Sequence, residues 1–391
     1  MKKQTALLTT FLFLMTVFGG CKQSGTQNDD IITVDVTASY PKKELILQEF
    51  MDVEYIPLET SDEFITMGWV HAISKDIIIT RNRRQGSVDG NIYIFDRNGK
   101  GLRVINRLGQ NDEEYMYVLD VTLDEDNNEI FVNDHWRKKI YVYDLYGNTK
   151  RNFNHKEGTS YAMGTYNFDR DHLLCEDGEF FSDEHRNRFL VISKQNGDII
   201  REIEIPYKEY VSSAVHKGNM VMPIRNRTLV PHSDNSWMLM ENSSDIVYKL
   251  LPDYSMIPLI TRTPSIQSMS PGVFLYPAVF TDRYCFMQTV KAEWDWVRNS
   301  GHKRANLVYD RKENAIFEYV VYNDDFTNEK TVNMTSEVTV GNNEIALVHI
   351  FEAFDLVEAY KEDKLKGKLK EIAATLDEES NPVLMLIKYK K

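Results

Sequence analysis

A chain of 391 residues, 42% hydrophobic and 12% aromatic, has ample apolar material for a large core, and its 21 Tyr and 19 Phe favour pleated strands. The formal net charge of −13, with no basic stripe interleaved with aromatics, excludes the counterion-displacing face that a nucleic-acid partner requires. Three Cys are too few for a disulfide scaffold in a domain of this size.

The chain opens with Lys2 and Lys3, continues with an apolar run from Ala6 to Phe18, and then turns to small residues, the layout of a secretory signal over residues 1–20. That run is shorter than the ~20 apolar residues of a membrane span. Phe18-Gly19-Gly20-Cys21 resembles the bacterial lipobox, which implies cleavage before Cys21 and acylation of its thiol. Acyl chains hold a protein to a leaflet at roughly 0.8 kcal/mol per CH₂, so such an anchor needs no spanning helix. Loss of the two lysines takes the net charge from −13 to −15 in the processed chain. Residues 21–30 are polar and read as a lipidated N-terminus and flexible tether, leaving 31–391 for the folded domain. The expected location is the cell envelope, as an outer-membrane lipoprotein facing the periplasm or the exterior.

Beyond the tether a repeat appears. Asn91-Ile-Tyr-Ile-Phe-Asp96 with Gly99 matches Lys139-Ile-Tyr-Val-Tyr-Asp144 with Gly147, and Phe189 to Gly197 is a third copy; the glycines lie 48 and 50 residues apart. Each copy reads as an alternating strand, a turn and a further strand. Weaker copies start near Ile246 and Asn306, and a strand pair precedes each marker. A four-stranded antiparallel meander recurring at this period cannot cover both of its faces alone, which predicts propeller blades. Five markers require a sixth blade from the ends: strands near 336–340 and 345–349, a helical stretch over about 354–376, a last strand Val383 to Tyr389, and Ile32 to Val36 paired beside it. The fold class is thus all-β, a six-bladed β-propeller of four-stranded antiparallel blades with a helical insertion near the C-terminus. Cys175 and Cys285 fall in strand-like apolar runs and read as buried thiols.

On Val53-Glu-Tyr-Ile-Pro-Leu-Glu-Thr60, Gly109 with Glu114-Tyr115, and Asn381-Pro-Val-Leu384, nearly the whole processed chain resembles the NHL-like six-bladed β-propeller lipoproteins of Bacteroidota. Asn111 and Asp112 stand where that pattern usually has a Gly-Pro pair. The resemblance implies fold and location rather than chemistry.

No nucleophile elbow, metal-binding helix, P-loop or Cys-x-x-Cys pair occurs, and no cofactor is expected. Two sets of residues are candidates for ligand binding. Trp294 and Trp296, on a long insertion from Val290 to Lys303, could stack on a sugar ring or a partner's side chains. Arg81, Arg83, Arg107 and Arg137, with Trp136 beside the last, are guanidiniums in an acidic protein, suited to a carboxylate or sulfate. The function these residues support is a lipid-anchored binding or scaffold module for a glycan, peptide or envelope protein, without catalysis. The alternative is a metal-dependent lyase or hydrolase on the central axis, drawing on His71, His135, His172, His232 and His349.

Overall fold

The repeat markers become the third strands of successive four-stranded antiparallel meanders. Blade 1 comprises Trp69–Ile73, Ile77–Arg81, Asn91–Asp96 and Gly101–Asn106, and blade 2 comprises Asp120–Asp124, Glu129–Asp134, Lys139–Asp144 and Thr149–Asn154. Blade 3 follows with Gly164–Asn167, His172–Glu176, Phe189–Ser193 and Ile199–Ile203. Blade 4 is Leu229–Pro231, Trp237–Leu239, Ile246–Leu250 and Met256–Thr263; blade 5 is Val273–Phe280, Tyr284–Lys291, Arg304–Asp310 and Ala315–Tyr322. Blade 6 has three described strands, Ile345–Phe351, Val383–Tyr389 and Met51–Pro57. The computed structural model describes residues 31–82, 89–161, 164–178, 189–224, 226–335 and 343–390. The signal, Cys21, the tether up to Asp30, Arg83 and the expected strand at 336–340 lie outside them.

Strand alternation explains why the blades need one another. In blade 1, Ile92 and Ile94 join a core with Val121, Ile130 and Tyr141 of blade 2, whereas the intervening Tyr93 and Phe95 join a core with Ile56, Val348 and Leu384 of blade 6. Five further junctions of this kind, counting that with blade 6, run round the ring, so every blade is covered on both faces and the propeller closes. Each large apolar side chain so buried contributes roughly 1.5–3 kcal/mol. The first strands of blades 1, 2 and 3 neighbour one another, which makes them the innermost.

Closure differs from the expected pairing of Ile32–Val36 with the last strand. Ile32–Asp35 instead runs parallel to the outer strand of blade 4, from Ile32 opposite Ile260 to Asp35 opposite Thr263. Lys42–Ile46 then runs parallel to the outer strand of blade 5, and Met51–Pro57 pairs antiparallel with Val383–Tyr389 as the outer strand of blade 6. The N-terminal segment is therefore a strap that covers two sheet edges before it completes the ring.

The expected single helix is two, Ala353–Lys361 and Gly367–Ala373, because Asp363 (φ 53°) and Gly367 (φ 52°) interrupt the backbone. Leu356, Leu365, Leu369 and Ile372 pack over Phe326 and Val383, which caps blade 6. Among the described residues no helix is long and apolar enough to cross a membrane. Cys175 and Cys285 are buried free thiols in different blades.

Candidate functional site

The connection from blade 1 to blade 2, residues 107–119, gathers most of the candidate residues. Its shape begins with Gly109, whose N–H donates to the Tyr115 carbonyl at 3.0 Å. A Cβ there would lie 1.8 Å from Glu114 Oε2, so a larger residue would displace that carboxylate from its place against the loop. The Asn111 N–H donates to Glu114 Oε2 at 3.1 Å, and hydrogen bonding with Asn111 holds the carboxyl below its ordinary range. Thus Asn111 shapes this loop.

Next come Met116 and Tyr117, whose N–H groups donate to Asp134 Oδ2 at 2.7 and 3.3 Å. The other oxygen of the same buried carboxylate accepts from the N–H groups of Trp136 and Arg137, both at 3.0 Å. One carboxylate therefore ties two loops together and sets the Tyr117 and Trp136 rings in parallel stacking. Trp136 remains 63% exposed, and Met116, next to Tyr117 in the chain, is also exposed.

The arginines of this region are engaged with main-chain carbonyls. Arg81 is buried and donates from Nη1 to the Val118 oxygen at 2.6 Å; burial lowers its pKa. Arg107 donates from Nε to the Gly147 oxygen at 2.8 Å, and Arg137 from Nη1 to the Asn111 oxygen at 2.9 Å. Three of the expected anion binders thus brace the platform that carries Trp136.

Trp294 and Trp296 lie elsewhere, on the loop between the second and third strands of blade 5. Trp294 packs edge-on against His302 with centroids 5.3 Å apart, and Lys217 Nζ sits 5.6 Å from the Trp296 ring centre. Both indoles are partly buried by their own loop and the hairpin that carries Lys217.

A second polar assembly, which the spacing of single residues along the chain conceals, links the innermost strands. His71 Nδ1 lies 2.9 Å from Asp120 Oδ1, while Asp120 Oδ2 accepts from the Thr165 N–H at 3.2 Å, joining blades 1, 2 and 3. Burial pushes the Asp120 carboxyl up, but the His71 ring and the Thr165 and Val121 N–H groups outweigh it and leave the pKa low. The Thr122 hydroxyl donates to the Thr165 carbonyl at 2.7 Å, and Thr228 bonds Glu176 between blades 4 and 3. Farther from the innermost strands, Asn226 and Arg304 both donate to Gln288 Oε1 on the second strand of blade 5, at 3.1 and 2.6 Å. Burial pushes the neighbouring Tyr166 phenol up to about 12. The other axis candidates have local partners: His172 with Asp169 and His232 with Asp234, each at 2.9 Å, and His349 with the Asn333 carbonyl at 3.1 Å. His135 lies in the loop before the third strand of blade 2. Among the described residues no three His, Cys, Asp or Glu side chains gather as metal ligands.

Comparisons with known proteins agree with this architecture. A Bacteroides fragilis protein provisionally named as exported superposes with a TM-score of 0.56 at 15% identity, over 92% of this chain and 100% of that one. A Bacteroides vulgatus member of the DUF4221 family gives 0.47 at 10% identity over 87% and 97% of the two chains. At 15% identity the first of these likenesses speaks to the fold alone. No curated protein matches the sequence. The family model described as Domain of unknown function (DUF4934) matches residues 31–388, the whole propeller up to its last strand, and the chain belongs to that family.

Proposed function

We propose that this chain is a lipid-anchored, non-catalytic binding module of the bacterial envelope, tethered through an acylated Cys21 to the outer membrane and recognising a glycan on its Tyr117–Trp136 face. The observation that carries this reading is Trp136, 63% exposed, whose indole stacks on Tyr117 and whose main-chain N–H is held by the buried Asp134. An aromatic ring already fixed in place offers a flat apolar surface to the C–H face of a sugar at little cost in side-chain entropy. The NHL-like repeat and the lipobox-like Phe18-Gly19-Gly20-Cys21 support the envelope location, as does the exported name of the Bacteroides fragilis neighbour.

The test is an array of glycans and peptides probed with the unlipidated chain beginning at residue 22, in wild-type and Trp136→Ala forms. Glycan binding that drops about tenfold or more in the variant supports the reading. Peptide or envelope-protein binding on the same face would keep the platform but change its ligand, and binding indifferent to Trp136 would remove the platform altogether. Mass spectrometry of the membrane-extracted protein tests the anchor: acyl chains on the N-terminal peptide are expected, and are lost in Cys21→Ala.

A further inference from the structure

Two hairpins stand side by side where blades 4 and 5 meet. The first pairs Ala214–Lys217 with Met220–Pro223 and turns through Gly218, whose φ of 59° suits a tight two-residue turn. The second is the 291–304 loop, closed by a Lys291 N–H to Lys303 carbonyl bond at 2.9 Å and by reciprocal Asp295–Ser300 bonds at 3.2 Å. Lys217 over Trp296 joins them; burial also holds the His302 imidazole low while the Glu293 and Pro223 carbonyls pull it the other way.

Their tips expose apolar side chains that the fold does not use, Met220 at 50% and Val297 at 95%. Over the two segments, residues 206–224 and 291–304, the cations Lys208, Lys217, Lys291, Arg298, Lys303 and Arg304 outnumber Glu209, Glu293 and Asp295, with Lys291 paired to Glu293 at 2.6 Å and Arg298 to Asp295 at 3.9 Å, in a chain whose net charge is −13. Local positive charge on an acidic protein, centred on apolar tips, matches the boundary between anionic headgroups and acyl chains. The hairpin roots Val211, Ile224 and Ala292 also share one hydrophobic core with Ile32, Val34 and Val36, so the N-terminal strand joins the folded body in this same sector.

We infer that the paired hairpin tips dock on an anionic lipid surface. This contact depends neither on the acyl group at Cys21 nor on the Trp136 platform, so its failure and theirs are separable.

The unlipidated chain from residue 22 keeps all six inter-blade cores, which permits a direct test by co-sedimentation with vesicles of phosphatidylglycerol and phosphatidylcholine in equal parts, or of phosphatidylcholine alone. Binding to the anionic vesicles only, weakened by salt, is expected. Arg298→Glu with Lys303→Glu, and separately Met220→Asp with Val297→Asp, should each weaken it about tenfold or more while the melting temperature holds. Equal binding to both vesicles, no binding, or binding unchanged in both variants would overturn the inference. So would self-association, or capture of an envelope protein, that the variants abolish in the absence of any vesicle binding.

Discussion

Tyr117 and Trp136 stack with ring centroids 4.9 Å apart and planes inclined by 18°, although one lies on the connection between blades 1 and 2 and the other on a loop within blade 2. Both loops are pinned through their main chains by the Asp134 carboxylate, which accepts four N–H bonds.

Asp134→Asn should therefore disturb the platform more than its small change in size suggests. The amide can accept on only one side, which leaves N–H groups of one loop facing a donor, at a cost of about 1–3 kcal/mol. Urea denaturation is expected to show that loss, and ligand affinity on this face should fall with it. Unchanged stability would mean that the loops are fixed by other contacts.

The buried pair Lys194 and Asp124 fastens blade 3 to blade 2, with Nζ to Oδ2 at 2.7 Å and side chains 1% and 0% exposed. Lys194 also donates to the carbonyls of Asp169 and Arg170. Lys194→Met leaves a buried carboxylate without its cation and should cost about 3–5 kcal/mol. Adding Asp124→Leu should recover much of this in a double-mutant cycle, because removal of both charges also removes the desolvation penalty. Additive losses would show that the two charges do not depend on each other.

The strap is clipped by Asp310, which takes both a bidentate bond from Arg283, at 3.0 and 2.8 Å, and Lys43 Nζ at 2.7 Å. Burial opposes ionisation of Asp310, yet the Arg283 and Lys43 hydrogen bonds prevail and hold its pKa well below the ordinary value of about 4. A carboxyl whose folded pKa is depressed stabilises fully above its unfolded pKa and loses that contribution as pH falls through the folded one. The contribution should therefore begin to fall below about pH 4 and vanish only in much stronger acid, where Asp310 itself protonates and releases the strap, seen as rising deuterium uptake over residues 42–46. Asp310→Asn should show the release at neutral pH; protection that is equal at both pH values would contradict this role.

Much of the ring was legible in the sequence because its local signals agree with its global packing. Gly99, Gly147 and Gly197 mark turns with positive φ, and an added Cβ would meet Pro57 O at 2.0 Å, Ile105 at 3.0 Å or Phe153 at 2.4 Å on the preceding blade. Turn chemistry and inter-blade contact thus demand the same residue, so the repeat stands out. The strap was not legible, because Ile32–Asp35 and Lys42–Ile46 add in parallel to finished blades and carry no turn marker that names their partner. Among the candidate residues, Arg81, Arg107, Trp136 and Arg137 were picked by type, and the structure places them around residues 107–119. Their organiser Asp134 and the ring partner Tyr117 were missed, since main-chain hydrogen bonds across two loops leave no spacing to read. The His71–Asp120–Thr165 link was hidden for a related reason: each blade supplies one residue of it.

The most direct measurement is the affinity, by titration calorimetry, of the array-selected glycan for wild type, Trp136→Ala and Trp296→Ala. Trp136→Ala should weaken binding about tenfold or more, and Trp296→Ala, whose ring packs against Lys217, should leave it within about twofold. Full affinity in Trp136→Ala, or a loss confined to Trp296→Ala, would contradict recognition on the Tyr117–Trp136 face.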